Sequence, residues 1–189
     1  MLKLTDKLEE IRILLENEIQ NAERIALQSL FGAYMRRIFN EGKATDETQI
    51  GEYSKKPMLT GSKNFRTAGS AKSFFSKKNE WLTVKTTKGK QALAIVPGGY
   101  SEFRTLNGLQ NQYVDLEFRG DLFRSIIVAE FNGHIVLGFN NSKEAIISRE
   151  LEIKYKKAIF EPSTSEIQLA KEMYDDYLKE KLQELFDKW

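Results

Sequence analysis

The 189-residue sequence contains no cysteine, a single histidine and only three prolines. Disulfides and thiolate metal sites are therefore excluded, and a zinc site would need an unusual set of carboxylates. No apolar run approaches the length of a membrane span. The amino-terminal segment carries acids where a secretory signal needs an apolar stretch, so we expect synthesis in a cytoplasm.

Signatures of catalysis are missing as well. The sequence has no Gly-x-x-x-x-Gly-Lys-Ser/Thr phosphate loop and no Gly-x-Gly-x-x-Gly that opens a helix. The one histidine, His134, follows a predicted hairpin turn, where an exposed strand residue is expected, and nothing resembles a nucleophile elbow. A hydrolase would need a concave site with convergent acids. We therefore expect a non-enzymatic protein with no catalytic residues, no cofactor and no metal.

Charge is distributed unevenly along the chain. The net charge is only +2, but Arg36 to Lys90 contains thirteen Lys or Arg against five Asp or Glu. From Glu161 to Trp189 the sequence has eight acids and four lysines. The chain is therefore basic in its middle and acidic at its end, and complementary charges of this kind can guide association between proteins.

The apolar spacing of the first 40 residues predicts one long amphipathic helix, with Asp6 and Glu9 as a capping-box-like start. Such a helix is longer than a domain of this size needs, so we expect it to pack on a neighbour as well as on its own sheet. The alternative is an ordinary core helix with a kink near Gly32. Two helices are predicted to end the chain, Ser142–Tyr155 and one that begins at a capping box of Ser163 and Glu166.

Residues 40–80 are rich in glycine, serine and lysine and have no periodic apolar face. We predict an extended basic loop or arm, within a single domain of residues 1–189, that orders on a partner. Phe65, Phe74, Phe75 and Trp81 lie among the charges, a pattern that is typical of nucleic-acid binding and equally of a solvated loop with packing anchors. The candidate contacts to a protein or to DNA are Lys55, Lys56, Lys63, Arg66, Lys72, Lys77 and Lys78.

The strands are predicted from alternating apolar residues and turn signals. Short turns between them indicate an antiparallel sheet, so the fold class is α+β, with the long N-terminal helix and the C-terminal helices packed on that sheet. We expect Leu116, Phe118, Ile127 and Ile135 to be at least partly buried. The predicted elements are a hairpin of Trp81–Thr86 and Gln91–Val96, a helix at Ser101–Gly108, a central strand at Val114–Phe118, and a hairpin of Ile126–Phe131 and His134–Phe139 around Asn132-Gly133.

The predicted central strand leads to a glycine corner with a distinctive amino-acid sequence. The corner consists of Arg119, Gly120, Asp121, Leu122 and Arg124, and the hairpin after it closes on Val-Leu-Gly-Phe. This order resembles the virion morphogenesis or tail completion family of tailed phages, small neck proteins between head and tail. The family's glycine usually follows Thr or Ser, whereas Arg119 precedes it here. That departure keeps the corner but removes a hydroxyl.

The resemblance covers roughly Ile95 to Phe186. It includes the approach to the corner, Gly98-Gly99-Tyr100-Ser101-Glu102-Phe103-Arg104 and Leu106-Asn107-Gly108-Leu109-Gln110, and the later Ile159-Phe160-Glu161-Pro162-Ser163. It implies a non-enzymatic head-tail connector protein in the virion neck, assembled in the host bacterial cytoplasm. Its subunits would form a homo-oligomeric ring around the DNA channel, with portal and tail proteins as partners. Contact with the channel DNA is left open, and no membrane is involved.

The charges lead to an expectation about contacts and to competing interpretations. Part of the Lys55–Lys90 region is expected to contact an acidic surface of a neighbouring protein, such as the helix that carries Asp175, Asp176 and Glu180. The competing expectation is that the lysines face the channel DNA, or that they are simply solvated. A nucleic-acid-binding protein that uses the basic 36–90 region is the alternative from a different functional class.

Overall fold

A computed structural model gives the fold of residues 4–77, 82–86, 89–131 and 134–187. Within these residues the fold is α+β, as predicted, with a long first helix, two small antiparallel sheets and C-terminal helices. Across the same residues, no helix is both long and apolar enough to cross a membrane.

Helices and short antiparallel strands alternate along the chain. The helices are α1 (Leu4–Met35), α2 (Ala68–Ser76), α3 (Gly99–Leu106), α4 (Asp121–Ser125), α5 (Ser142–Tyr155) and α6 (Thr164–Asp187). The strands are β1 (Met58–Gly61), β2 (Leu82–Thr86), β3 (Gly89–Val96), β4 (Ile126–Phe131) and β5 (His134–Phe139). One π-helical turn follows α1 at Arg36–Asn40, and a 3-10 turn follows β1 at Ser62–Asn64.

Helices α1 and α6 lie side by side and run antiparallel, so that Tyr177 donates a hydrogen bond of 2.7 Å to Glu18. With 32 residues, α1 is about 48 Å long. The predicted start at Asp6 is wrong, because the helix already includes Leu4. The helical geometry changes in the π-helical turn at Arg36–Asn40 and not at Gly32.

The first core joins the end of α1 to the β4–β5 hairpin. Tyr34 and Ile38 pack there with Val114, Ile126 and Ile159. The hairpin is antiparallel and pairs Ile126 with Phe139, as predicted. The turn at Asn132-Gly133 and the side chain of Ile135 lie outside the described residues.

The second core lies under a three-stranded sheet with the order β1-β3-β2. Strands β2 and β3 form the predicted hairpin, while β1 was not predicted. Ala94 and Val96 of β3 are buried against Phe65, Phe74 and Phe103. Residues 40–77, expected to be an extended arm, therefore contain a strand, a 3-10 turn and a helix that pack on the rest of the domain. Whether a partner changes them stays a prediction.

The predicted central strand Val114–Phe118 is wrong, since this segment pairs with no other strand in the described part of the chain. Its alternating pattern misleads because the polar residue Asp115 is buried together with the apolar Val114. Leu116 adopts a left-handed conformation at φ 54°. Leu116 and Phe118 are half-buried as expected, but Ile127 is 37% exposed, against the prediction.

The C-terminal helices agree with the sequence. Helix α5 has the predicted bounds Ser142–Tyr155. The capping box that starts α6 is present in both directions, because the Ser163 amide donates to the Glu166 carboxylate at 2.7 Å and the Glu166 amide donates to the Ser163 hydroxyl at 3.3 Å. The short helix predicted at Ser101–Gly108 begins two residues earlier, as α3, and Gly108 follows it at φ 70°, in the left-handed region.

Candidate interaction surfaces

The basic side chains proposed from the sequence lie on the surface around the three-stranded sheet. Lys55 and Lys56 precede β1, and Lys63 lies in the 3-10 turn after it. The others follow that turn or lie on α2 and its end. All six that the structure describes are exposed: Lys55, Lys56, Lys63, Arg66, Lys72 and Lys77. Lys78 lies outside the described residues.

None of these six side chains forms an ion pair with a carboxylate in the described part of the chain. Other surface cations do find such partners: Lys43 bonds Glu41 at 2.8 Å, and Arg124 bonds Asp121 at 2.8 Å. Among the described residues, the charge of these six side chains is therefore not neutralised by a carboxylate.

The aromatic residues that alternate with these charges do not share the surface with them. Phe65, Phe74 and Phe75 are at most 9% exposed and pack in the second core, where the Phe65 and Phe103 ring centroids are 4.9 Å apart. Trp81 lies outside the described residues. The three described rings act as packing anchors and are not available to stack on bases, so they do not support the nucleic-acid pattern.

The sheet face turned away from the second core is apolar and exposed. Leu59 of β1 and Ile95 of β3 are direct cross-strand partners and are 52% and 49% exposed. Their neighbours Thr60, Ala94 and Val96 point the other way and are buried, as the two-residue period of a strand requires. We use the name outer sheet face for this exposed apolar pair together with Lys55, Lys56 and Lys63, the exposed lysines that flank β1 along the chain.

The acidic residues proposed from the sequence are all exposed on α6, at Asp175, Asp176 and Glu180. Asp176 has only a long contact of 3.9 Å to exposed Lys179. Residues four apart share one side of a helix, which places Asp176 and Glu180 in line with Glu172. In the described residues no ion pair joins these acids to the basic surface, so a single subunit does not bring the two sets together.

The family-like corner is a small, closed unit. Gly120 adopts the left-handed region at φ 78° and precedes α4, where buried Leu122 anchors the turn. Arg124 donates to the Arg119 carbonyl at 3.0 Å and pairs with Asp121 at 2.8 Å. Asp121 and Arg124 therefore pair within the corner, whereas Arg119 reaches the Lys63 carbonyl at 3.5 Å. The role that the resemblance implies for these residues stays a prediction.

A buried ion pair fixes the approach to this corner. The Arg104 guanidinium, 1% exposed, donates to both carboxylate oxygens of Asp115 at 2.8 and 2.7 Å. It also donates to the carbonyls of Gln110 and Glu117 and lies 4.4 Å from the centre of the Tyr53 ring. Asp115 is therefore held inside the protein, although its place in the sequence pattern predicts a solvent-facing side chain.

Tyr53 completes this network by donating its hydroxyl to Asp115 at 2.8 Å. Burial, and then the negative charge of Asp115, raise the pKa of the Tyr53 phenol above its usual range. Burial is also the main reason that the pKa of Tyr34 is raised. Both phenols are neutral hydrogen-bond donors at physiological pH, which is a structural role.

A second buried ion pair joins the two long helices. Arg37 donates to Glu166 at 2.7 Å, and both side chains are at most 6% exposed. Arg37 also donates to the carbonyls of Lys43, Ile159 and Glu161. One signal in the sequence points to this contact, because Arg37 lies in the apolar stripe between Tyr34 and Ile38, where a charged side chain needs a buried partner.

An open groove of about 440 Å³ lies beside this ion pair. Its polar groups pair with one another: Glu41 accepts from both Arg36 and Lys43, at 3.1 and 2.8 Å. In the part of the chain that the structure describes, no three His, Cys, Asp or Glu residues lie together in a way that could hold a metal ion. No family model, curated protein or solved structure matches the chain.

Proposed function

We propose that this protein is a non-enzymatic structural protein of a tailed-phage neck, a tail completion or head-tail connector protein whose subunits form a ring around the DNA channel. The observation that carries the proposal is the resemblance of the sequence between Ile95 and Phe186, which includes the Gly120 corner and the hairpin after it. In the structure, helix α3, the Gly120 corner and the β4–β5 hairpin follow one another in that part of the chain. The proposal assigns no reaction to the protein.

The exposed apolar surface supports a role in assembly. On the outer side of the β4–β5 hairpin, Ile127 and Val136 are 37% and 39% exposed, and Gly138, the cross-strand partner of Ile127, adds no side chain. The outer sheet face exposes Leu59 and Ile95. Large contiguous apolar patches mark surfaces for protein partners, and these two pairs are the starting points for such surfaces.

Inactivation of the gene in the phage or prophage that carries it tests the proposal. We expect DNA-filled heads and free tails to accumulate unjoined, because a neck protein completes the connection between them. The wild-type gene supplied in trans should restore joined, infectious particles. Joined particles at the normal yield, without the protein, would refute the proposal.

The second candidate function is nucleic-acid binding through the basic surface. The observation that favours it is the set of six exposed Lys and Arg side chains without a carboxylate partner among the described residues. If they contact phosphates, the logarithm of DNA affinity should fall steeply and linearly with the logarithm of salt concentration, by a slope of about −0.9 for each neutralised phosphate. A flat salt dependence would exclude this function.

A further inference from the structure

Two surfaces of this chain are complementary and are not joined within one subunit. The first is the outer sheet face, where exposed Leu59 and Ile95 lie beside one another and three lysines, all exposed, flank β1. A surface that binds only phosphates does not need this apolar pair. Covering exposed Leu and Ile side chains with another apolar surface lowers the free energy, which favours a protein partner.

The second surface lies on α6. Leu169 and Met173 are each 36% exposed and are four residues apart, and Asp176 and Glu180 continue the same side of the helix. Exposed Glu172 flanks it. We call these five residues the acidic helix face. Leu169 also lines the groove beside Arg37, and Met173 lies one turn before Tyr177, which bonds Glu18, so this face borders the contact with α1.

We infer that the outer sheet face of one copy binds the acidic helix face of the next copy. Each surface has two exposed apolar side chains, and the three lysines of the first oppose the three acids of the second. The inference rests on the proposed function in one respect, namely that copies of the chain assemble into a ring. It adds which surfaces meet.

The charges select this head-to-tail arrangement over a symmetric one. Two outer sheet faces would bring Lys55, Lys56 and Lys63 against their own copies, and two acidic helix faces would oppose carboxylates. Like charges across an interface are unfavourable, whereas opposite charges guide encounter and fix register. A contact between two different surfaces repeats from copy to copy and closes into a ring when the rotation permits.

Cysteine cross-linking tests the pairing directly, because the chain has no cysteine of its own. Two single variants, Leu59→Cys and Met173→Cys, are purified, mixed and treated with a short thiol-reactive cross-linker. We expect a cross-linked species of two chains in the mixture and little in either variant alone. The matched control is Lys72→Cys mixed with Met173→Cys, since Lys72 is exposed on α2, on the opposite side of the sheet.

Charge reversal gives the second readout. Lys55→Glu with Lys56→Glu in the first chain should lower the yield of the Leu59→Cys and Met173→Cys product by about tenfold or more at low salt. Asp176→Lys with Glu180→Lys in the second chain should restore much of it. If the yield of the Leu59→Cys and Met173→Cys product is no higher than that of the Lys72→Cys control, the inference is overturned. This is also the result expected if the lysines bind DNA and not a second copy.

The two proposals can fail separately. A ring whose mass is measured in solution, but which gives no Leu59→Cys and Met173→Cys product, overturns the pairing of surfaces and leaves the neck function standing. Normal joining of heads and tails without the gene overturns the neck function, even if the cross-link forms.

Discussion

Arg37 and Glu166 are 129 residues apart in the chain, yet their side chains form a buried ion pair with 2.7 Å between Nε and Oε1. The contact fixes the start of α6 against the end of α1. Glu166 also accepts the Ser163 amide, so that one carboxylate both caps α6 and binds the neighbouring helix. The position of the whole acidic helix face depends on this residue.

Replacement of Glu166 should be among the most destabilising single changes. Glu166→Ala leaves the Arg37 guanidinium buried without its counter-ion, which costs about 3–5 kcal/mol in the free energy of unfolding. Urea unfolding measures this. As a control, Asp176→Ala removes an acid of the same helix that is exposed, and it should leave the unfolding midpoint nearly unchanged. Equal effects of the two variants would contradict the assigned role.

Asp115→Asn tests the network at the approach to the corner. The change keeps the shape of the side chain but removes the charge that Arg104 contacts, and we expect a loss of about 3–5 kcal/mol in the free energy of unfolding. The matched control is Asp121→Asn, which weakens the exposed pair with Arg124 and should have little effect. A stable Asp115→Asn variant would show that the segment does not depend on this ion pair.

Two glycines should respond to alanine in opposite ways. At Gly99, φ is +65° and an added Cβ would clash with the Lys56 carbonyl oxygen, so Gly99→Ala should destabilise the protein. Gly32 lies inside α1 with nothing within 4 Å of an added Cβ. Gly32→Ala should therefore stabilise by about 0.5–1 kcal/mol. Thermal unfolding midpoints that move the same way for both variants would contradict this.

Alkaline pH should destabilise the fold through its buried phenols. Burial raises the pKa of Tyr34 and Tyr53 in the folded state above the ordinary value of about 10 that the unfolded chain has. Below that pH both states are neutral at these positions and stability is retained. Above it, only the unfolded state releases the protons, so the free energy of unfolding falls as pH rises.

The Tyr34→Phe variant separates this effect from other alkaline changes. It should lose about 1 kcal/mol at neutral pH with the hydrogen bond to the Phe160 carbonyl, and then show a shallower decline above about pH 10. Urea midpoints measured across this pH range check it. A decline as steep as that of the wild type would mean that Tyr34 does not contribute.

The sequence predicts the elements that local signals control. The capping box at Ser163, the Gly120 corner and the bounds of α5 depend on residues close together in the chain, and all are confirmed. Local signals fail where a distant partner decides. Val114–Phe118 alternates like a strand, but Asp115 turns inward because Arg104 and Tyr53 satisfy its charge.

The prediction of an extended arm for residues 40–77 is wrong for a related reason. Its aromatic residues have no helical or strand period, so their burial in the second core depends on Phe103 and on strand β3, which lie later in the chain. For the candidate surfaces, the sequence predicts only the distribution of charge. It does not predict that Leu59 and Ile95 lie side by side, because this depends on the register between β1 and β3.

The central claim is that this chain forms a ring in the neck of a phage particle. Cryo-electron microscopy of assembled particles, with the density of the head-tail junction resolved well enough to trace α1 and α6, measures it most directly. We predict a closed symmetric ring of this chain around the DNA channel, between head and tail. A resolved junction in which every subunit is traced to another protein would contradict the account.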